Sequence, residues 1–458
     1  MKSLTSLRNL TKIQSKWGIR YVKKAFLIVA FSVPVLAACG GGRGGEDGDA
    51  ADGNGQPPKP AAKEPVELAV SLYSASQEEF DKYYVAPLKE KFPHITLKGI
   101  KPEKGAYIED LLAAGTVPDL FIGSKGALPN QLNGLNLTED ISGLITSNGF
   151  DLSKLDPIAV DIMKKATNGK IVGLPLNLNV NALYYNKDLF DKFGVPYPKD
   201  GMTWDDIYEL AKKLTRVEQG VQYRGFSDRW GDTFFAGNPF ELPYLDPREE
   251  KSTFDNETWK TIAQNWLRFY TLPGLKFDSK TAFKEEDRKL FQTGISGMTV
   301  MAADVPKWEF AWDIVSVPTY KEKPGVGLQA NARYNYIMKG SKKQQAAFEV
   351  AAYMASEEYQ LKMAKDGLFP VLKDETIKKA YMEDDPVYKG KNLKAFYYNA
   401  FAPEPQGRAP GLVNGVNAQD KYLLPEMIKV LAENKDLNSA LRDAAEAAQK
   451  GLAEAKSK

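Results

Sequence analysis

Three features of this 458-residue chain predict an α/β fold. Between residues 66 and 122 the apolar pattern alternates between the two-residue period of a strand and the 3.6-residue period of a helix, in the order strand, helix, strand, helix, strand. That order builds a parallel sheet with right-handed crossovers. A second block of the same kind begins near Leu183. No cysteine follows Cys39, so the fold must hold by its core alone, and about 390 residues at 43% hydrophobic composition bury enough surface for two domains.

The N-terminus reads as a targeting element. Lys2, Arg8, Lys12, Lys16, Arg20, Lys23 and Lys24 precede the apolar stretch 25–36, and no acidic residue appears before Glu46. A stretch of that length is shorter than the roughly 20 helical residues that cross a bilayer, so a permanent membrane helix is the poorer reading. Leu36-Ala37-Ala38-Cys39 resembles the lipobox of bacterial lipoproteins. The resemblance implies cleavage after residue 38 and a diacylglyceryl group on the Cys39 thiol, which would tether the mature protein to the outer face of a cell membrane. Two acyl chains give stable anchoring, each buried methylene contributing about 0.8 kcal/mol. Removal of seven basic residues from 61 leaves 54 against 59 acidic ones, a net charge of −5, and no basic stripe marks a nucleic-acid surface. Residues 39–65, rich in glycine and then proline, lack the side chains to pack and read as a disordered tether.

Order is expected from Val66. Val66, Leu68, Val70 and Leu72 alternate with polar or small residues as a strand, and Ser76-Gln77-Glu78-Glu79 fits a capping box for a helix that turns Phe80, Tyr83, Tyr84, Leu88 and Phe92 to one side. A strand follows at Ile95–Ile100, a helix at 104–114 with Gly115 as its stop, and a strand through Leu120, Phe121 and Ile122. Thr203-Trp204-Asp205-Asp206 caps a later helix, and Ser341 is expected to cap another running to Met354. Further helices are expected at 257–270 and 285–291, and at least two between Pro425 and Ala455. Trp204, Trp259 and Trp266 read as helix packing, as do Trp308 and Trp312, four apart on an expected helix. Ligands of such sheets lie beyond the carboxyl ends of the strands, so the loops 73–77 and 123–126 should face a site.

A set of short motifs carries a resemblance. Val117-Pro118-Asp119-Leu120-Phe121, Gly169-Lys170-Ile171-Val172-Gly173-Leu174-Pro175, Tyr184-Tyr185-Asn186-Lys187-Asp188-Leu189-Phe190, Thr203-Trp204-Asp205-Asp206, Phe291-Gln292-Thr293-Gly294 and Gly367-Leu368-Phe369-Pro370-Val371 resemble, in order, extracellular solute-binding protein family 1 of ABC importers, over about residues 66–452. The resemblance implies a two-lobed periplasmic-binding-protein-like clamp with discontinuous lobes and a hinge, closing on a solute that in many members is a sugar. Crossings are placed near Asn179, Val317 and Phe369. Residues 66–179 plus 318–368 then form lobe 1, and 180–317 plus 369–458 form lobe 2. The expected partners are a small solute and ABC permease subunits, with the receptor itself a monomer without cofactor or metal.

A sugar site needs hydrogen-bonding side chains for hydroxyls beside flat aromatics for the C–H faces. Ser74 and Ser76 end the first strand, although Ser76 also serves as a helix cap. Ser124 and Lys125 follow the Pro-Asp-Leu-Phe strand, and Asn179 sits in the alternating run Asn177-Leu178-Asn179-Val180-Asn181 between the expected lobes. Trp230 and Asp232 form a candidate stacking corner, Asp304 follows a strand where the family places a ligand contact, and Arg333 with Tyr334 could serve hydroxyls or a carboxylate. The competing bland readings are a packed surface loop for the first of these and an exposed salt bridge for Arg333.

Composition narrows the alternatives. His94 is the sole histidine, so Ser-His-Asp chemistry and histidine-rich metal sites have almost no material. Nucleophile-elbow, zincin and phosphate-loop motifs are absent from the sequence. A carbohydrate-active enzyme, which needs only two carboxylates, and a peptide or amino-acid receptor, using Lys125, Arg333 and Asp304 for charged termini, stay open at this stage.

Overall fold

The computed structural model describes residues 63–457 apart from 229–230, 276, 280–284, 303–307 and 415, and of residues 130, 232, 285 and 286 it describes no side chain. Cys39, the segment read as a signal and the expected tether up to residue 62 therefore lie outside the described residues, as do Trp230 and Asp304. The chain forms β1 (Val66–Ser71), β2 (Ile95–Ile100), β3 (Leu120–Ser124), β4 (Gly173–Asn179), β5 (Asn181–Asn186), β6 (Arg216–Glu218), β7 (Val221–Phe226), β8 (Ser296–Ala302), β9 (Trp312–Val315), β10 (Val326–Gln329), β11 (Asn331–Ile337) and β12 (Ala400–Ala402). They assemble into one sheet ordered β2-β1-β3-β11-β4, another ordered β6-β7-β8-β5-β9, and a ribbon of β10 with β12.

In the first sheet β1 pairs with β2 and β3 in parallel, as the alternating pattern requires, and β11 enters antiparallel between β3 and β4. Asp119, buried beside β3, accepts the Ala69 amide at 2.8 Å and the Ser341 hydroxyl at 2.6 Å. Ser341 is thus tied to the sheet. The helix Gln344–Met354 begins at Lys343 with no side-chain cap, so the capping expected of Ser341 is corrected. Gly173 lets β4 approach β11 closely, since a Cβ there would stand 2.5 Å from the Asn335 carbonyl. Register slips at Leu176, between the pairs Arg333–Asn177 and Tyr334–Pro175. Buried Gln360 absorbs the slip by donating to the Leu176 carbonyl at 2.8 Å and accepting the Val371 amide at 2.8 Å.

The first helix has its capping box: Ser76 Oγ accepts the Glu79 amide at 3.1 Å and Glu79 returns a bond to the Ser76 amide at 2.8 Å. It continues through a π-helical turn, Asp81–Val85, to Ala86–Lys91. In the second sheet the Thr203–Asp206 box caps Trp204–Leu214, whose inner face buries Trp204, Ile207, Leu210 and Leu214. That helix lies so close to β7 that a Cβ on Gly225 would sit 2.2 Å from the Ala211 carbonyl.

Two apolar cores result, one around Leu68, Val70, Leu120 and Leu174, the other around Leu183, Trp259, Trp266 and Met298. Alternation along β5 divides its side chains between them: Ala182 and Tyr184 join the first, Leu183 and Tyr185 the second. Trp204, Trp259 and Trp266 are buried as expected. Trp308 and Trp312 pack with Tyr184 as expected, but Trp312 opens strand β9, so no shared helix joins them. Segment 369–396 spans the two sheets. Phe369 bridges to Leu178, while Tyr388 shares a 2.7 Å hydroxyl bond with Tyr184 and packs edge-on to Trp312.

The tight approach at Gly225 makes a prediction. Gly225→Ala should destabilise by about 1–3 kcal/mol in denaturant melts through overpacking, whereas Gly134→Ala, with open space around it, should stay within about 0.5 kcal/mol of the parent.

Candidate functional site

Sheet order decides which loops meet. With β1, β3 and β4 running one way and β11 the other, the segment after Ser71, the end Ser124 of β3, the end Asn179 of β4 and the start Asn331 of β11 share one edge. In the second sheet the ends of β7, β8 and β9 share an edge with the start of β5. A single residue, buried Val180, joins β4 to β5, so the two edges are brought against each other. Asn331 pairs with Asn179 on one side of the step and Ala302 with Asn181 on the other. Open α/β sheets bind ligands at this edge.

The first edge gathers most of the expected residues. Ser74 Oγ accepts the Ser124 amide at 3.1 Å, and the Ser124 carbonyl accepts the Tyr336 hydroxyl at 3.1 Å. Arg333, opposite both Ser124 and Asn177 in the sheet, directs two guanidinium N–H groups at Glu79 Oε1, each at 3.2 Å. Burial raises the Glu79 carboxyl, but the Ser76 amide and the Arg333 charge outweigh it and hold the group below its ordinary range. Ser76 is the exposed cap of its helix and bonds there with Glu79. Lys125 Nζ pairs with Glu404 Oε2 at 2.7 Å, and Lys165 Nζ donates to the Glu404 carbonyl at 2.5 Å. Asn179 is exposed and accepts from Asn177 Nδ2 at 3.1 Å.

Tyr334 is a correction. It is wholly buried, stacks near Tyr336, and its hydroxyl donates to the Ala159 carbonyl at 2.8 Å. Neighbours on a strand face opposite ways, so Arg333 reaches the edge while Tyr334 enters the core. Asp232 opens the π-helical turn Asp232–Ala236, and its side chain lies outside the described residues. The base of that loop is anchored from below: buried Asp287 accepts from Arg224 at 2.5 Å, from the Asp228 amide at 3.2 Å and from the Tyr270 hydroxyl at 3.1 Å. Burial raises the Asp287 carboxyl, with Arg224 opposing.

Sequence reasoning missed the partners Glu79 and Glu404, and also Gln329 and Asn399. Gln329 Nε2 donates to the Asn238 carbonyl at 2.9 Å and Asn399 Nδ2 to the Val317 carbonyl at 2.7 Å. Both line a cavity of about 30 Å³ with Asn179, Asn181, Val317 and Phe396, where three passages of the chain between the sheets converge. Adjoining the first edge is a much larger cavity of about 980 Å³, walled by Lys125, Gly126 and Val172 from the first core's side, by Phe235 and Tyr244 from the second's, and by the strap 404–412. Its volume suits a small-molecule ligand. Among the described residues no three His, Cys, Asp or Glu side chains gather to hold a metal, and no helix is long and apolar enough to cross a membrane.

The family model of the bacterial extracellular solute-binding protein matches residues 71–361. The sn-glycerol-3-phosphate-binding periplasmic protein of Brucella melitensis is 24% identical over 324 residues, 67% of this chain and 73% of that one. Among solved structures, an ABC substrate-binding protein from Listeria monocytogenes in complex with cycloalternan superposes with a TM-score of 0.65 at 21% identity, covering 85% of this chain and 100% of that one. A solute-binding protein from Agrobacterium vitis with bound D-mannitol gives 0.59 at 21% identity, covering 85% and 99%. These neighbours share the two-lobed α/β clamp fold. The chain belongs to the bacterial extracellular solute-binding proteins, extracytoplasmic receptors of ABC importers that bind their solutes without transforming them.

Proposed function

We propose that this receptor captures a sugar or oligosaccharide between its lobes and presents it to an ABC permease, held to the membrane by lipid on Cys39 and acting as a monomer. The observation that carries the reading is the meeting of both sheets' ligand edges at the Asn179-Val180-Asn181 step, beside a cavity of about 980 Å³. Residues 66–179 plus 318–368 are assigned to lobe 1 and 180–317 plus 369–458 to lobe 2, with the buried residues of segment 369–396 packing into the first core and Tyr388 meeting Trp312 of β9. The hinge is formed by the crossings near Asn179 and Val317, which line the small cavity, and the one near Phe369, which packs against Tyr397 and Phe401.

The candidate contacts are Ser74, Ser124, Lys125, Asn179 and Arg333, together with the sequence candidates Trp230, Asp232 and Asp304, whose side chains lie outside the described residues. Serine hydroxyls and an asparagine amide both donate and accept, which matches a ring of solute hydroxyls. A hydroxyl lost from the solute leaves such groups buried and unpaired, at about 1–3 kcal/mol each, and this supplies selectivity. The reading is supported by relatives and neighbours whose stated ligands include cycloalternan and D-mannitol.

A thermal-shift screen over sugars and polyols tests it. The cognate solute at 100 times its Kd should add about 2.7 kcal/mol of stability, and Asn179→Ala should weaken calorimetric affinity about tenfold, the equivalent of one hydrogen bond at about 1.4 kcal/mol. No saturable stabilisation by any member of a broad carbohydrate panel would count against the sugar reading. For the anchor, Cys39→Ser should abolish incorporation of labelled palmitate into the expressed protein; a parent protein that takes up no palmitate would show that the thiol carries no lipid.

A further inference from the structure

The partly buried cations of the cleft come with carboxylates already attached. Arg333 holds Glu79 at 3.2 Å and Lys125 holds Glu404 at 2.7 Å. Lys125 and Arg408 line the cavity of about 980 Å³, where Arg408 is paired with Glu250, while Arg333 stands at the edge of the first sheet. Lys170 stands exposed at the rim, where its charge acts on Asp140. A phosphate or carboxylate reaching Arg333, Lys125 or Arg408 would have to expel an internal carboxylate from its cation or lie beside it. A hydroxyl faces no such conflict, because it can donate to the carboxylate and accept from the cation at once. Arg333 also keeps donors to offer, since only two of its five N–H groups point at Glu79.

We propose that Glu79 and Glu404 are specificity-determining residues: by neutralising Arg333 and Lys125 they set the cleft for an uncharged solute and turn away anionic ones. The inference rests on the solute-receptor reading and narrows it, since the matched Brucella relative is named for a phosphate ester. It also turns away zwitterionic peptides, whose carboxylate terminus would meet the same two occupied cations. Two features favour a lasting role for these carboxylates. The Ser76 amide and Arg333 together keep Glu79 ionised at neutral pH. Glu404 is held through its backbone as well, by Lys165, and a Cβ on nearby Gly407 would lie 2.3 Å from the Lys165 carbonyl, so the strap seats closely on the helix Pro157–Ala166.

The test compares the parent with Glu79→Gln, Glu404→Gln and the double variant. Glutamine at position 79 preserves the capping box, and melting curves verify folding. The first probe is inorganic phosphate, titrated calorimetrically against chloride at matched ionic strength. The parent should show no saturable binding, and the double variant should gain it, at least tenfold tighter than any residual parent signal. Saturable phosphate binding by the parent, or no gain in a folded double variant, would overturn the proposal. The second probe is matched pairs, D-mannitol with D-mannitol 1-phosphate and D-glucose with D-glucose 6-phosphate, on the parent alone. Preference for the phosphorylated member would overturn the inference while leaving the receptor reading intact. Binding of neither member would count against those sugars as solutes, and the phosphate titration would still decide the role of the two glutamates.

Discussion

The architecture depends on how abruptly the chain changes sheets. β4 ends at Asn179 and β5 begins at Asn181, so one buried valine carries the backbone from one core to the other. A connection that short keeps the two sheets adjacent at this point, with their ligand edges meeting at the step. Motion has to occur as rotation about the step, shared with the other passages of chain that gather around the small cavity of Asn179, Val317, Gln329 and Asn399. Hinges of this kind are a few element-terminal residues that absorb the backbone change while the packed bodies stay rigid.

The packing on either side of the step is built to stay rigid. Asp119, Gln360 and the Glu79–Arg333 pair each join parts of the first body distant in sequence, while Asp287 performs that service beneath the 227–232 loop in the second. Aromatic contacts of Tyr184 with Trp308, Trp312 and Phe396 fill the space between the sheets. On the proposed reading, closure is confined to the junction, and binding energy shifts a population of two arrangements rather than deforming either core.

Much of this was legible in the sequence because it is local. Period-two alternation marks β1 and β2, the apolar run Leu120-Phe121-Ile122 marks β3, capping boxes mark the helices that begin after Ser76 and Thr203, and the run Asn177-Leu178-Asn179-Val180-Asn181 marks the step itself. What was not legible is non-local or depends on one-residue register. Nothing in the neighbourhood of β3 indicates that a strand from 331–337 inserts beside it. Arg333 and Tyr334 read alike as polar candidates, and only the pleat sends one to the edge and the other into the core. Glu79 and Glu404 sit 254 and 279 positions from the cations they neutralise, so no spacing rule could pair them. Trp308 and Trp312 carry a helical interval that a strand overrides through packing on Tyr184.

The account rests on two rigid bodies turning about a common step to enclose a solute. Small-angle scattering of the protein, recorded with and without a sugar that stabilises it, measures this most directly. A radius of gyration that falls on saturation, with no change for a sugar that does not bind, is the predicted result. An unchanged radius at saturation, or chemical conversion of the sugar during the measurement, would contradict it.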